Sequence, residues 1–371
     1  MSAADLPDPT QIEGAAHPRD THHLFGQARA EADFLEAFTT GRLHHGWMLT
    51  GPRGVGKATL AWRIARFLLT RPHEDDGGLF GAPPPPASLD SDPDHPVARR
   101  IHAQSEPGIF LLKRGPNDRE TALSADIRVD DVRRLKSFLH LSSAEGGRRV
   151  VIVDAADEMN TAAANALLKL LEEPPHGVTF LLVAHQPARL LPTIRSRCRE
   201  LRLATLSAGD MAAALAQAEV ETDTPEALAA LAGGSVGEAI RLTNLDGLQN
   251  YARLVALMGT LPRLDRIKAL SLADSVTGKG NEARFDLMLG LADLFLSRLA
   301  KAGVAGPPAP EAATGEAALL ARLAPDSGAA LKWAALQQSL GARARHGRAV
   351  NLDPAALVMD MVLEITAAAA A

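Results

Sequence analysis

The sequence has a single cysteine, Cys198, in 371 residues, so no disulfide can form within the chain. That usage fits a reducing compartment. Basic charge is also lacking. The formal net charge is -5 at pH 7, and bulk electrostatics will not drive the chain onto nucleic acid or an anionic membrane. Any contact with DNA would need a local basic patch. No apolar run reaches the ~18 residues of a membrane-crossing helix. Met1 to Asp20 is polar and acidic, without the basic-then-apolar order of a secretory signal. Together these absences read as a cytoplasmic protein with no membrane partner. What remains is the composition of an ordinary globular chain, 46% hydrophobic and 22% charged, long enough for two to three domains. No internal repeat is visible.

Residues 1–20 read as a flexible leader, and Phe25 to Gly41 as a helix. Trp47 to Thr50 is a short apolar run, followed by a glycine-rich loop and an amphipathic helix from Lys57 to about Leu69. The stretch 71–107 holds Gly77-Gly78, Pro83 to Pro86 and the aspartates Asp90, Asp92 and Asp94. It carries too little apolar surface to order itself and reads as a surface insertion. Ile109 to Leu112, Arg149 to Asp154 and Thr179 to Ala184 are candidate strands, the latter two of the kind buried on both faces of a parallel sheet. Helices are expected over Val129–Leu139 and Asn160–Glu173, the second stopped by Pro174-Pro175. Strands alternating with helices predict an α/β parallel sheet over about 21–206. Beyond Leu206 the pattern is helical throughout, in two units divided near 260–275. Apolar positions at Leu287, Leu291, Leu294, Leu357 and Met361 exceed what one small unit can hide.

Gly51-Pro52-Arg53-Gly54-Val55-Gly56-Lys57 fits G-x-x-x-x-G-K. Glycines allow backbone N–H groups to wrap phosphate, the following helix adds its positive end, and Lys57 would reach the β- and γ-phosphates. The alternative is a glycine turn with an exposed lysine. The next position should carry a hydroxyl for Mg²⁺, but it is Ala58. Thr59 follows one residue late, about 100° around the helix. Asp154 closes a strand where a second Mg²⁺-site carboxylate belongs, or else it caps that strand end. Ala155 follows it, leaving no adjacent carboxylate to orient water.

Gly26-Gln27, Arg42 to Trp47, the glycine-rich loop, VVIVDAADEMN from Val150, ALLKLLEEPP from Ala166 to Pro175, and Ser196-Arg197-Cys198 follow one another in order. This series resembles the bacterial DNA polymerase III clamp loader family, which comprises the γ/τ ATPases and their paralogue δ′. The resemblance covers about residues 24–245. It implies an AAA+ α/β module, a helical lid over about 207–270, and a helical collar over about 271–371 that holds a ring of subunits together. The family's zinc module has no counterpart here, because the interval after the loop helix holds no cysteine. No metal site is expected.

Four departures fall on one ATP site: Ala58, the tetrapeptide Asp154-Ala155-Ala156-Asp157 without its glutamate, Ala184-His185 in place of the sensor 1 threonine region, and Gly237 in place of the sensor 2 arginine. Measured against the family, they imply a δ′-type stator that does not hydrolyse ATP. Gly51, Gly54, Gly56 and Lys57 still leave room for weak binding of ATP or ADP, and no cofactor is required. The SRC element is intact. By resemblance, Arg197 reaches a neighbouring subunit's ATP site as an arginine finger, with Ser196 and Cys198 beside it; a solvated basic edge or a DNA phosphate contact is the alternative. The implied partners are γ/τ motor subunits and a δ subunit, with the sliding clamp and primed DNA met through the complex. Two other readings are an active γ/τ-type ATPase and a stand-alone DNA-binding helical protein.

Overall fold

A computed structural model describes residues 6–71, 85–140, 147–278 and 280–370. It divides into two compact units: residues to Ala218 together with Gly234–Gly237, and Glu219–Gly233 with Glu238–Ala371. The first unit runs α1 (Ala28–Thr39), β1 (Gly46–Thr50), α2 (Lys57–Leu69), α3 (Pro96–His102), β2 (Ile109–Leu112), α4 (Val129–His140), β3 (Arg149–Asp154), α5 (Thr161–Glu172), β4 (Val178–Val183), α6 (Pro192–Arg195), β5 (Arg199–Arg202) and α7 (Ala208–Gln217). Its sheet is parallel throughout, in the order β2-β3-β4-β1-β5. β1 and β4 are wholly buried, and in β3 only Arg149 is not. Helices cover both faces of such strands, so they need no polar alternation. Val151, Val153, Phe180 and Leu182 meet Leu135, Leu167 and Ile194 in the core on one side. The expected α/β class is present.

β5 is absent from the sequence expectations. It reads Arg-Glu-Leu-Arg, with Leu201 alone buried. An edge strand with one inward side chain has no apolar run to announce it.

The leader and the insertion need correction. Residues 6–20 are packed down. His17 is buried edge-on against Trp62, with ring centroids 5.8 Å apart, and Asp8 pairs with Lys113 at 2.6 Å. Residues 72–84, including Gly77-Gly78 and part of the proline run, lie outside the described residues, but 85–107 is built in. Leu89, Ala98 and Ile101 are buried, and His95 caps α3 through Nδ1, accepting from the Val97 N–H. The cause lies on α2, which is not amphipathic: ten of its residues are buried, Arg63 and Arg66 among them. Buried guanidinium groups need partners. Arg66 donates to the Arg19 carbonyl at 2.8 Å, and Arg63 donates to the His22 carbonyl, to Glu31 at 2.7 Å and to Asp90 at 2.9 Å.

The second unit is helical: α8 (Pro225–Ala232), α9 (Val236–Asn244, its first two residues counted with the first unit), α10 (Gly247–Met258), α11 (Arg266–Asp274), α12 (Glu282–Ala305), α13 (Glu316–Leu323), α14 (Ser327–Ala349) and α15 (Pro354–Ala370). The boundaries differ from the expected 206 and 270. α7 belongs to the first unit because Met211 and Leu215 are buried and Gln217 donates to the His23 carbonyl at 3.2 Å. No separate body begins near 270. α10 packs on α11, α12 and α13, and Arg322 donates to the carbonyls of Gly259 and Leu261. Fully buried Glu316 joins three of these helices, accepting from Tyr251 Oη at 2.6 Å and Arg298 Nε at 2.6 Å. Leu287, Leu291, Leu357 and Met361 are buried in this unit's own core, so they are not the surplus apolar surface expected of them. Ile267, Leu270, Val304, Leu331 and Leu363 are exposed instead.

Candidate nucleotide site and arginine turn

The glycine-rich loop leaves β1 at its C-terminal end and enters α2. Gly51, Gly54 and Gly56 all take positive φ, at 135°, 78° and 99°. Close packing adds to this, most firmly at Gly51, where the neighbour is backbone. A Cβ on Gly51 would lie 2.4 Å from the Leu203 carbonyl oxygen, one on Gly54 2.3 Å from Ser235 Oγ, and one on Gly56 2.4 Å from Leu24 Cδ1. Ser235 Oγ donates to the Arg53 carbonyl at 2.8 Å, and the Gly237 N–H donates to the Gly54 carbonyl at 3.0 Å. The Gly234-Ser235-Val236-Gly237 segment is thus laced to the loop. Lys57 is buried, and its Nζ donates to the carbonyls of Gly51, at 2.7 Å, and Pro52. Burial pushes its ammonium down to about 8, against the pull of Asp157 and Asp154.

Asp154 ends β3 as expected and is almost wholly buried. Burial, then the nearby Glu158, raises its carboxyl to about 7, while Lys57 and Arg53 act the other way. The neighbouring carboxylates have other duties. Asp157 accepts from the His185 N–H at 2.8 Å and the Gln186 N–H at 3.1 Å, fixing the loop after β4. Glu158 pairs with Arg114 at 2.7 Å and Arg53 at 3.6 Å. His185 lies just past the end of β4. Burial and then Lys57 hold its imidazole neutral, well below the usual histidine range. Ala58 and Thr59 begin α2, both half-buried. A magnesium nucleotide does not fit this arrangement. The hydroxyl ligand is missing, Lys57 is spent on its own loop, and Ser235 and Gly237 fill the space over Gly54. No group of three or more His, Cys, Asp or Glu side chains among the described residues is placed to hold a metal ion.

The second site lies where α6 gives way to β5. Ser196 is exposed, and its Oγ donates to the Thr193 carbonyl at 3.1 Å. Cys198 packs against the core, and burial pushes its thiol up to about 12, which makes it a small apolar side chain rather than a nucleophile. Arg197 is 37% exposed; Nη1 donates to the Thr193 carbonyl at 3.1 Å, and Nη2 pairs with Glu172 at 2.9 Å. Glu172 is absent from the sequence-based site residues. Its place before Pro174 marks a helix end and gives no sign of a partner on the turn before β5. Its neighbours in the arginine run differ. Arg199 lies over the Trp47 ring. Among the described residues, Arg189, Arg195 and Arg202 make no side-chain hydrogen bond or ion pair.

The family model described as DNA polymerase III, delta subunit, matches residues 26–207. The DNA polymerase III subunit delta′ of Pseudomonas aeruginosa is 36% identical over 233 residues, 62% of this chain and 65% of that protein. The subunit gamma/tau of Mycobacterium tuberculosis is 29% identical over 280 residues, 70% of this chain and 44% of that protein. The chain therefore spans between about two fifths and two thirds of the length of these relatives. A DNA polymerase III gamma subunit-related protein of Thermotoga maritima superposes with a TM-score of 0.44 at 19% identity, over 91% of this chain and all of that one. With the family model matching just under half of the chain and the better identity on the delta′ side, the chain is similar to the DNA polymerase III delta′ and gamma/tau subunits.

Proposed function

We propose that this chain is a clamp-loader stator: a delta′-type subunit that does not hydrolyse ATP and lends Arg197 to a neighbour that does. The neighbours are gamma/tau-type motor subunits and a delta subunit. The assembled cytoplasmic machine opens a ring-shaped sliding clamp and places it on primed DNA during replication. The contrast between the two sites carries the reading. Lys57 is turned inward onto the loop that should hold phosphate, while Arg197 stands half-exposed on a braced turn. Arginine suits the role because its planar, permanently charged fork stabilises charge that develops on a transferring phosphoryl group. No cofactor and no zinc are required. The helical residues 271–371 drive assembly, and the exposed apolar side chains Val304, Leu331 and Leu363 supply surface that a neighbour would cover.

The test is purification of the native complex, identification of its subunits, and assay of this chain alone. We expect gamma/tau- and delta-type subunits in the complex and no ATP turnover by the isolated chain. Turnover above background that disappears in Lys57→Ala protein would overturn the stator reading and restore the active ATPase.

A further inference from the structure

We propose that Glu172 is the positioning residue for Arg197: it holds the guanidinium in one orientation so that the finger meets the neighbour's nucleotide already aligned. This rests on the reading of Arg197 as a group that acts in trans.

Glu172 occupies the last turn of α5, stopped there by Pro174-Pro175. A carboxylate at a helix C-terminus faces the negative end of the helix dipole and is disfavoured there. Its pairing with Arg197 is exposed on both sides, at 42% and 37%. Exposed pairs add little to stability. Fold stability therefore gives no reason for an acid at this position. Orientation does. An unrestrained arginine samples many rotamers, and each must be given up when the fork engages a phosphate. Of the arginines in this run, Arg197 has an ion pair and a carbonyl acceptor together.

The backbone on each side of the pair is also fixed. The His45 ring bonds the Leu171 carbonyl at 3.0 Å, next to Glu172. Gly46 brings the start of β1 so near the turn that a Cβ there would lie 3.1 Å from the Arg197 carbonyl oxygen. The backbone beside Glu172 and that of Arg197 thus lie against the start of β1, at His45 just before it and at Gly46, its first residue. Preorganisation of this kind acts on the geometry of reaction and not on the affinity for ATP.

The experiment uses the complete complex with Glu172→Ala, Glu172→Gln, Arg197→Ala and the Glu172→Ala/Arg197→Ala double variant, assayed for ATPase at saturating ATP and for KM. Glu172→Ala should remove about half of the Arg197-dependent activity, through kcat, with KM for ATP unchanged. Glu172→Gln keeps an acceptor of the same shape and should recover part of the loss. The double variant should match Arg197→Ala alone. If Arg197→Ala lowers the rate while Glu172→Ala leaves it unchanged or raises it, the positioning role is wrong and the finger stands. A Glu172→Ala loss that persists in the Arg197→Ala background means a structural role for Glu172, and that also overturns the inference. If Arg197→Ala has no effect, the finger itself fails.

Discussion

Two cations of the first unit, Lys57 and Arg197, sit at motifs of equal sequence clarity and have opposite fates. Lys57 is buried and hydrogen-bonded to carbonyls of its own loop. Arg197 is half-exposed and tied to one carboxylate and one carbonyl at the surface. The difference shows that the glycines of the loop have a conformational and packing role of their own. A Cβ at Gly51 would strike the Leu203 carbonyl, and the positive φ of Gly51, Gly54 and Gly56 favours glycine with or without a phosphate in the loop. At the other end, Arg197 is held at the surface by an exposed ion pair of the kind that adds little to stability.

The comparison can be broken most severely at Gly54. Valine there must hold φ near 78° and displace Ser235. Backbone strain and overpacking together should lower stability on the order of 4 kcal/mol, read by denaturant unfolding with and without nucleotide. A loss that nucleotide repairs would show that the loop still serves phosphate.

Asp154 gives the next largest effect, and in the other direction. Its carboxyl is raised to about 7 in the folded chain against 3.8 for the free group. The folded state therefore holds the proton more tightly, and stability falls as pH rises from about 4 to 7, then levels off. Asp154→Asn should stabilise the chain by about 3 kcal/mol at pH 8, with the gain fading towards pH 4. An equal gain at both pH values would show that ionisation of Asp154 is not the cause.

Arg197→Ala should change the stability of the isolated chain by no more than about 0.5 kcal/mol, since an exposed pair is lost and nothing buried is opened. Smallest of all is the effect of magnesium ATP on thermal unfolding. A nucleotide at 100 times its Kd stabilises by about 2.7 kcal/mol; here no shift in Tm is expected. A clear shift would mean that Lys57 exchanges its loop carbonyls for phosphate.

Much of this was legible in the sequence, and the failures share a cause. β1, β3 and β4 stand out because strands buried on both faces are largely apolar, and β2 because its four residues are all apolar, while β5 shows one buried leucine among charges. Residues 1–20 read as a flexible leader, and composition marked 71–107 as carrying too little apolar surface to order itself. It could not show that Arg63 and Arg66 on α2 would seek partners in those same segments. Leu287 and Leu357 announced apolar helix faces, but not which faces cover one another. At the sites, Ala58, Asp154 and Arg197 were readable by position in a motif. The bond from Ser235 to Arg53 joins residues 182 apart, and Glu172 meets Arg197 across two elements. Neither has a spacing that local periodicity can register.

The most direct measurement compares DNA- and clamp-stimulated ATPase of the complete complex with Arg197→Ala and with Arg202→Ala. Arginine fingers contribute roughly 10³–10⁵ in rate at the site they serve, so Arg197→Ala should assemble normally, lower the total rate by that site's share and slow clamp loading. Arg197→Lys should rescue little, because an ammonium lacks the bidentate fork, and Arg202→Ala should lose far less. A complex carrying Arg197→Ala that assembles and hydrolyses ATP at the unmodified rate would contradict the account.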